Sequence, residues 1–267
     1  MKKILKKIHL YLALILCIPL ILQGLTGATL AFQKEISEFS LRQNHVFLEG
    51  ENQSQEQLIV AAQGFVPEGF LATTVRFSSE KKSSAAVRFV KEGERKQAYE
   101  VLLDPVSGEV LKVKNFDTDF FRVVKKFHAS LLLSGDLGKN IVGFFGVVLL
   151  FMALSGVVLW WPRQGNFKRS VTFKFSSTGK KFHRDLHSAV GFWTLSLLLS
   201  SSITGIFLIF FKTKESSKLW HAIHEGSVFG LWGEAVVFLT GFLPLIFALT
   251  GILLWLTKKK ERAARVV

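Results

Sequence analysis

Residues His187 to Gly205 read HSAVGFWTLSLLLSSSITG, a histidine followed by an uncharged run that ends in Thr-Gly. The same frame occurs near the N-terminus. The interval from His9 to Gly27, in Leu25-Thr26-Gly27-Ala28, equals that from His187 to Gly205, in Ile203-Thr204-Gly205-Ile206. A second pair of apolar segments repeats the pattern. His128 precedes Gly156, in Leu154-Ser155-Gly156-Val157, by an interval one position longer than that from His224 to Gly251, in Leu249-Thr250-Gly251-Ile252. An internal repeat sets the architecture of a chain before any local reading does. Here it yields four histidines in two equivalent pairs, the ligand set of bis-histidine haem in a helical bundle.

Composition fixes the solvent. Four stretches, Leu10–Phe32, Ile141–Trp161, Ala189–Phe211 and Ala235–Thr257, hold no Lys or Arg. Each is at least as long as the roughly 20 apolar residues that a bilayer span takes. The sequence therefore predicts a polytopic membrane protein, an all-α four-helix bundle of two repeated hairpins, and excludes a secreted globular enzyme. The net charge of +14 follows the membrane rather than a nucleic-acid partner, and none is expected. Sixteen of the 34 basic residues lie in three short segments: before the first span, between the second and third, and after the fourth. All three fall on one side if the chain crosses four times. The positive-inside rule makes that side the cytoplasm, with both termini inside and residues 33–127 in the periplasm. Met1–Ala31 begins like a signal peptide. Its apolar run is longer than such a region has, and it matches the third span, so it reads as a retained helix. One cysteine, Cys17, excludes a disulfide framework, a zinc site and an iron–sulfur site.

The chain thus divides into a first transmembrane helix (1–33) and an inserted periplasmic α+β domain (34–126). An outer amphipathic segment and the second helix occupy 127–163, and a basic cytoplasmic connector 164–185. The third helix spans 186–212, an outer loop with the fourth helix 213–257, and a basic tail 258–267. Within the domain, Ser54–Gln63 reads as a helix. Phe70–Phe77, Ser84–Val90, Gln97–Leu103 and Glu109–Val113 read as strands, with Asp104-Pro105-Val106-Ser107-Gly108 as a turn. No nucleophile–base pair or phosphate loop occurs there, and His45 is its only histidine.

The remaining six histidines fall near the span ends, in two layers. Equivalence in the repeat pairs His9 with His187 in the inner layer and His128 with His224 in the outer. A straight helix rises roughly 27 Å from His9 to Gly27, or from His187 to Gly205. Gly27 and Gly205 are thereby carried to the outer layer, while Gly156 and Gly251 return to the inner one. The glycines are expected to clear volume for a flat macrocycle whose iron the four histidines ligate axially. His183 and His221 lie one turn from His187 and His224, as alternative ligands or contacts for the haem propionates. Two plainer readings compete: polar packing by small-residue helix contacts, and metal-ion transport. Transport wants mid-membrane carboxylates or thiolates, and no span has an Asp or Lys at its centre.

Several motifs resemble the PepSY-associated transmembrane helix family, to which the iron-regulated ferric-siderophore reductases of bacterial inner membranes belong. They are Lys7-Ile8-His9-Leu10-Tyr11, Leu25-Thr26-Gly27, Phe127-His128-Ala129-Ser130, Ser155-Gly156 through Trp160-Trp161-Pro162-Arg163, Phe182-His183-Arg184-Asp185-Leu186-His187 and Ile223-His224-Glu225-Gly226. Leu103-Asp104-Pro105-Val106-Ser107-Gly108-Glu109 looks like the strand–turn–strand of a PepSY domain. The resemblance implies a b-type cytochrome with two haems in the inner membrane. It would take electrons from quinol or a cytoplasmic reductase and reduce periplasmic ferric iron, ferric siderophore above all. The PepSY name supplies the alternative, a non-redox membrane-tethered regulator or inhibitor that binds a protein partner.

Overall fold

Uncharged apolar sequence in a solvent without hydrogen-bonding groups must satisfy its own backbone, and the helix does so locally. The first such run forms α1 (Lys2–Ala31). It leaves Ile4, Ile8, Tyr11, Ile15, Ile18 and Leu22 exposed. Their spacing of three or four positions makes one apolar stripe along the helix, the surface that lipid covers. The computed structural model describes residues 1–45, 47–77, 83–161, 167–211, 213 and 215–264. It forms two compact units, one of Met1–Phe32 with Phe127–Val267 and one of Gln33–Lys126. The Pro162-Arg163 end of the Trp-Trp-Pro-Arg motif and Arg265 of the tail lie outside the described residues.

The inserted unit is a four-stranded antiparallel sheet with strands in sequence order. It starts with α2 (Gln33–Asn44), a polar helix that no periodicity announces, and α3 (Gln55–Gln63). At the start of α3, Ser54 and Gln57 exchange side-chain and backbone hydrogen bonds in a capping box. The strands are β1 (Phe70–Arg76), β2 (Ala85–Lys91), β3 (Glu94–Leu103) and β4 (Val110–Asn115). Ala85, Val87 and Phe89 of β2 face one way with Val101 and Leu103 of β3, and bury against Leu58 and Ala62 of α3. Alternation with period two gives the sheet one apolar face.

The turn between β3 and β4 is locked by a buried carboxylate. Asp104 Oδ1 accepts from the backbone N–H of Val106 (2.8 Å) and Ser107 (3.0 Å). Oδ2 accepts from the N–H of Leu48 (3.2 Å) and from His45 Nε2 (2.9 Å). Gly108 completes the turn at φ +74, where an L side chain is strained. Burial alone would raise the Asp104 pKa. The hydrogen bonds from His45, Ser107, Val106 and Leu48 outweigh it and hold the carboxyl below its ordinary value. A lowered folded pKa contributes stability that is complete above the ordinary carboxylate range and disappears as pH falls through the folded value. Asp104→Asn puts an amide N–H₂ against N–H donors on one side. We expect it to destabilise this unit by about 2–3 kcal/mol and to flatten the acid limb of its stability, read by denaturant unfolding at pH 7 and pH 4.

After β4 comes α4 (Phe120–Ser130), an amphipathic helix. Two consecutive residues in the left-handed region, Leu131 (φ 54) and Leu132 (φ 62), then reverse the chain into α5 (Leu137–Trp160), which is long and apolar enough to cross a membrane. The segment after it is less of a free connector than its composition suggests. It contains the short α6 (Phe167–Ser170), and Trp160 Nε1 and Trp193 Nε1 donate to the carbonyls of Ser170 (2.9 Å) and Val171 (3.0 Å).

The third span departs from a single straight helix over 186–212. It consists of α7 (Gly179–Trp193), which begins inside the expected connector, and α8 (Leu195–Phe210), bent by 61° at Thr194. The Thr194 hydroxyl donates to the Val190 carbonyl at 2.7 Å, one helical turn back. Such back-bonding bends helices. Three helices are each long and apolar enough to cross a membrane, and α7 with α8 makes a fourth crossing if the bent pair is one span.

The last part of the chain holds α9 (Ser217–Glu225), α10 (Gly230–Thr240) and α11 (Leu243–Ala263). α9 is amphipathic and ends at Gly226 with φ +83. Trp220 on it stacks on Phe207 at 4.1 Å between ring centres. α10 and α11 lie within one candidate span, Ser227–Glu261, interrupted at Gly241-Phe242. There the backbone of α1 comes close: a Cβ on Gly24 would meet the Gly241 carbonyl, and one on Gly241 would meet that of Gly24. Small residues permit such an approach between membrane helices. α1 packs on α5, α10 and α11, α5 on α8, and α7 on α11. Ala153, Leu198 and Leu243 form the buried centre where α5, α8 and α11 meet.

Candidate functional site

The hydroxyl that precedes each repeat glycine sits against a histidine. His9 Nδ1 lies 2.7 Å from Ser155 Oγ, joining α1 to α5. His187 Nδ1 lies 2.7 Å from Thr250 Oγ1, joining α7 to α11. His128 Nδ1 lies 3.0 Å from Thr26 Oγ1, joining α4 to α1. His224 Nδ1 lies 2.7 Å from Thr204 Oγ1, joining α9 to α8. Ser155, Thr204 and Thr250 are buried. All four bonds stay within one half of the repeat, so each half is a hairpin carrying two histidine–hydroxyl–glycine units.

The glycines meet the same rings. A Cβ on Gly27 would stand 3.1 Å from His128 Cε1, and one on Gly205 3.5 Å from His224 Cε1. For Gly156 and His9 the distance is 3.9 Å, and for Gly251 and His187 it is 4.0 Å. Each glycine thus lies beside the histidine of the layer to which its interval along the chain assigns it. At Gly205, Gly156 and Gly251 the ring stands at ordinary contact distance from the position of such a Cβ, and only at Gly27 does it crowd it. Gly27 is the tightest of the four and Gly251 the loosest. Gly251→Ala is expected to be neutral or to stabilise by up to about 1 kcal/mol through helix propensity. Gly27→Ala must push the His128 ring aside and should cost about 1 kcal/mol or more. Thermal unfolding of the two variants in detergent checks the contrast.

Across the two halves, the His128 and His224 rings approach to 6.3 Å between centres, with planes 47° apart. Both are carried in the last turns of amphipathic helices, α4 and α9, rather than at the ends of spanning helices. His9 lies in the first third of α1, and His187 in the second half of α7, where its ring also meets Phe247 edge-on at 5.1 Å. α1 packs on α11 and α5 on α7, so the units of His9 and His187 occupy neighbouring helices.

His221 and His183 stand apart from this arrangement. His221 Nδ1 turns back onto its own helix, to the Ser217 carbonyl at 2.7 Å. His183 packs beside Phe182, with ring centres 5.6 Å apart. Among the described residues, no group of three or more His, Cys, Asp and Glu side chains is placed to hold a bare metal ion. The hydroxyls are the part that sequence reasoning left without a role, although each stood in the quoted Thr-Gly or Ser-Gly.

Three to four apolar membrane-crossing helices define a multi-pass membrane protein with an inserted α+β unit, and four of its histidines rest on Ser or Thr hydroxyls of facing helices. The chain matches the family described as the PepSY-associated TM region over residues 6–221, and it belongs to that family. The match ends at His221, so His224 and Thr250-Gly251 are tied to the pattern by the internal repeat. No curated protein matches the chain.

Proposed function

We propose that this chain is a di-haem b-type cytochrome of the bacterial inner membrane that passes electrons outward to a periplasmic ferric complex, ferric siderophore foremost. The observation that carries the reading is the spacing of His128 and His224, 6.3 Å between ring centres. Metal–imidazole bonds of about 2.0–2.1 Å on both sides of one iron put ring centres roughly 6.3 Å apart. Haem b bound in this way supplies a reversible one-electron relay without covalent attachment. The chain has a single cysteine and so no Cys-x-x-Cys-His attachment motif.

In this reading the spans form a four-helix bundle of two hairpins, and each haem would be held by one histidine from each hairpin. His9 and His187 hold the inner haem, and His128 and His224 the outer. Thr26-Gly27, Ser155-Gly156, Thr204-Gly205 and Thr250-Gly251 seat those rings. The basic segments support a topology with both termini in the cytoplasm and residues 33–127 in the periplasm. Quinol or a cytoplasmic reductase is the donor. The visible spectrum of the full chain purified from haem-replete cells tests the proposal. Dithionite should bring up the sharp bands of low-spin six-coordinate b haem, and acid–acetone should extract all of it. A colourless preparation would sink the redox reading and leave the membrane-tethered regulator that binds a protein partner.

A further inference from the structure

We propose that Thr26, Ser155, Thr204 and Thr250 are positioning residues, each accepting the Nδ1–H of its histidine and so making Nε2 the nitrogen presented to the cofactor iron. This rests on the haem reading for its consequence, but not for its geometry.

The argument is a count of protons. Each hydroxyl makes two short contacts. Thr204 Oγ1 lies 2.7 Å from the Ser200 carbonyl and 2.7 Å from His224 Nδ1. Thr250 Oγ1 lies 2.8 Å from the Ile246 carbonyl and 2.7 Å from His187 Nδ1. Thr26 Oγ1 lies 2.7 Å from the Leu22 carbonyl and 3.0 Å from His128 Nδ1. Ser155 Oγ is held less closely, 3.2 Å from the Met152 carbonyl and 2.7 Å from His9 Nδ1. Two oxygens so close repel unless a proton lies between them. A carbonyl has none to give, so the hydroxyl's single proton sits there. The hydroxyl is then only an acceptor toward the ring, and the second short contact needs the ring's own proton on Nδ1. A neutral imidazole with Nδ1–H carries its lone pair on Nε2, the state that an Nε2 metal ligand requires. The adjacent glycine completes the seat, because a side chain there would meet the Cε1 edge.

Such a partner does more than aim the ring. Acceptance of Nδ1–H raises the donor strength of Nε2 and favours the oxidised over the reduced iron. Removing it should raise the midpoint potential of that layer alone. The test compares Thr204→Val, which keeps the shape and loses the oxygen, with Thr204→Ser, which restores it. In ¹⁵N-histidine NMR of the full chain from haem-limited cells, His224 should carry Nδ1–H in the wild type and in Thr204→Ser. It should become a mixture of tautomers in Thr204→Val. In the haem-loaded chain, Thr204→Val should move one of two midpoints upward. A tenfold change in the oxidised-to-reduced ratio corresponds to about 59 mV for one electron. Thr204→Ser should stay with the wild type. Loss of haem from Thr204→Val alone supports the same role. Nε2–H at His224 in the wild type, or identical behaviour of the Val and Ser variants, overturns the proposal. A wild type that never binds haem defeats the functional reading instead and leaves the tautomer result standing.

Discussion

Alanine at His128 or His224 should halve the haem content of the purified chain and leave the inner centre low-spin and six-coordinate. His9→Ala or His187→Ala should do the reverse. The separability follows from distance. His9 and Thr26-Gly27 lie on the same helix, α1, at opposite layers, and a helix rises about 1.5 Å per residue. The ring seats are also local: His128 rests on α1 and His224 on α8, while His9 rests on α5 and His187 on α11. Removing one imidazole empties one seat and touches no hydrogen bond of the other layer. Haem per chain by pyridine haemochrome, with the low-spin signals by electron paramagnetic resonance, gives the answer. If every variant keeps two six-coordinate haems, the pairings are wrong. His183 and His221 then become the ligands to examine, although His221 would have to leave the Ser217 carbonyl.

The parts of this arrangement that could be read from sequence are those set by period and count. The interval from His9 to Thr26-Gly27 is a helix-rise quantity, and α1 runs as one helix through both, Pro19 included. Strand positions in the inserted unit followed from runs rich in Val, Phe and Ala, and in the fold Ala85, Val87 and Phe89 point one way because a strand repeats with period two. What escaped reading depends on single side-chain hydrogen bonds, which leave no periodic trace. The 61° bend lies at Thr194, whose hydroxyl reaches the Val190 carbonyl, in a run as apolar as its neighbours. α2 has no apolar stripe to mark it. The interruption at Gly241-Phe242 accompanies the close approach of α1 at Gly24, a contact between segments from opposite ends of the chain. The hydroxyls at Thr26, Ser155, Thr204 and Thr250 were in plain view beside their glycines. Only the folded chain brings each to a histidine that lies far from it in sequence, as Ser155 lies from His9.

Right-side-out vesicles loaded with an internal reductant should reduce a membrane-impermeant ferric complex supplied outside, with the ferrous product trapped by an external chelator. The basis for this outward direction is charge. Nearly half of the basic residues lie in the segments before the first span, between the second and third, and after the fourth. In the proposed topology the positive-inside rule holds them on the cytoplasmic side, which would put the His128–His224 layer at the periplasmic face. Those two rings are carried by short amphipathic helices, α4 and α9, which suit an interface better than a bilayer centre. The donor side therefore depends on His9 and His187, and the acceptor side on His128 and His224. His224→Ala should abolish external reduction while the inner haem remains reducible from within, whereas His9→Ala should block both. Variants that change only the inserted unit, such as Asp104→Asn, should leave the haem spectra as they are. Reduction seen only with complexes supplied on the cytoplasmic face would reverse the assigned direction. It would also mean that the basic segments had misled the topology, because the two layers exchange roles only if the whole chain is turned over.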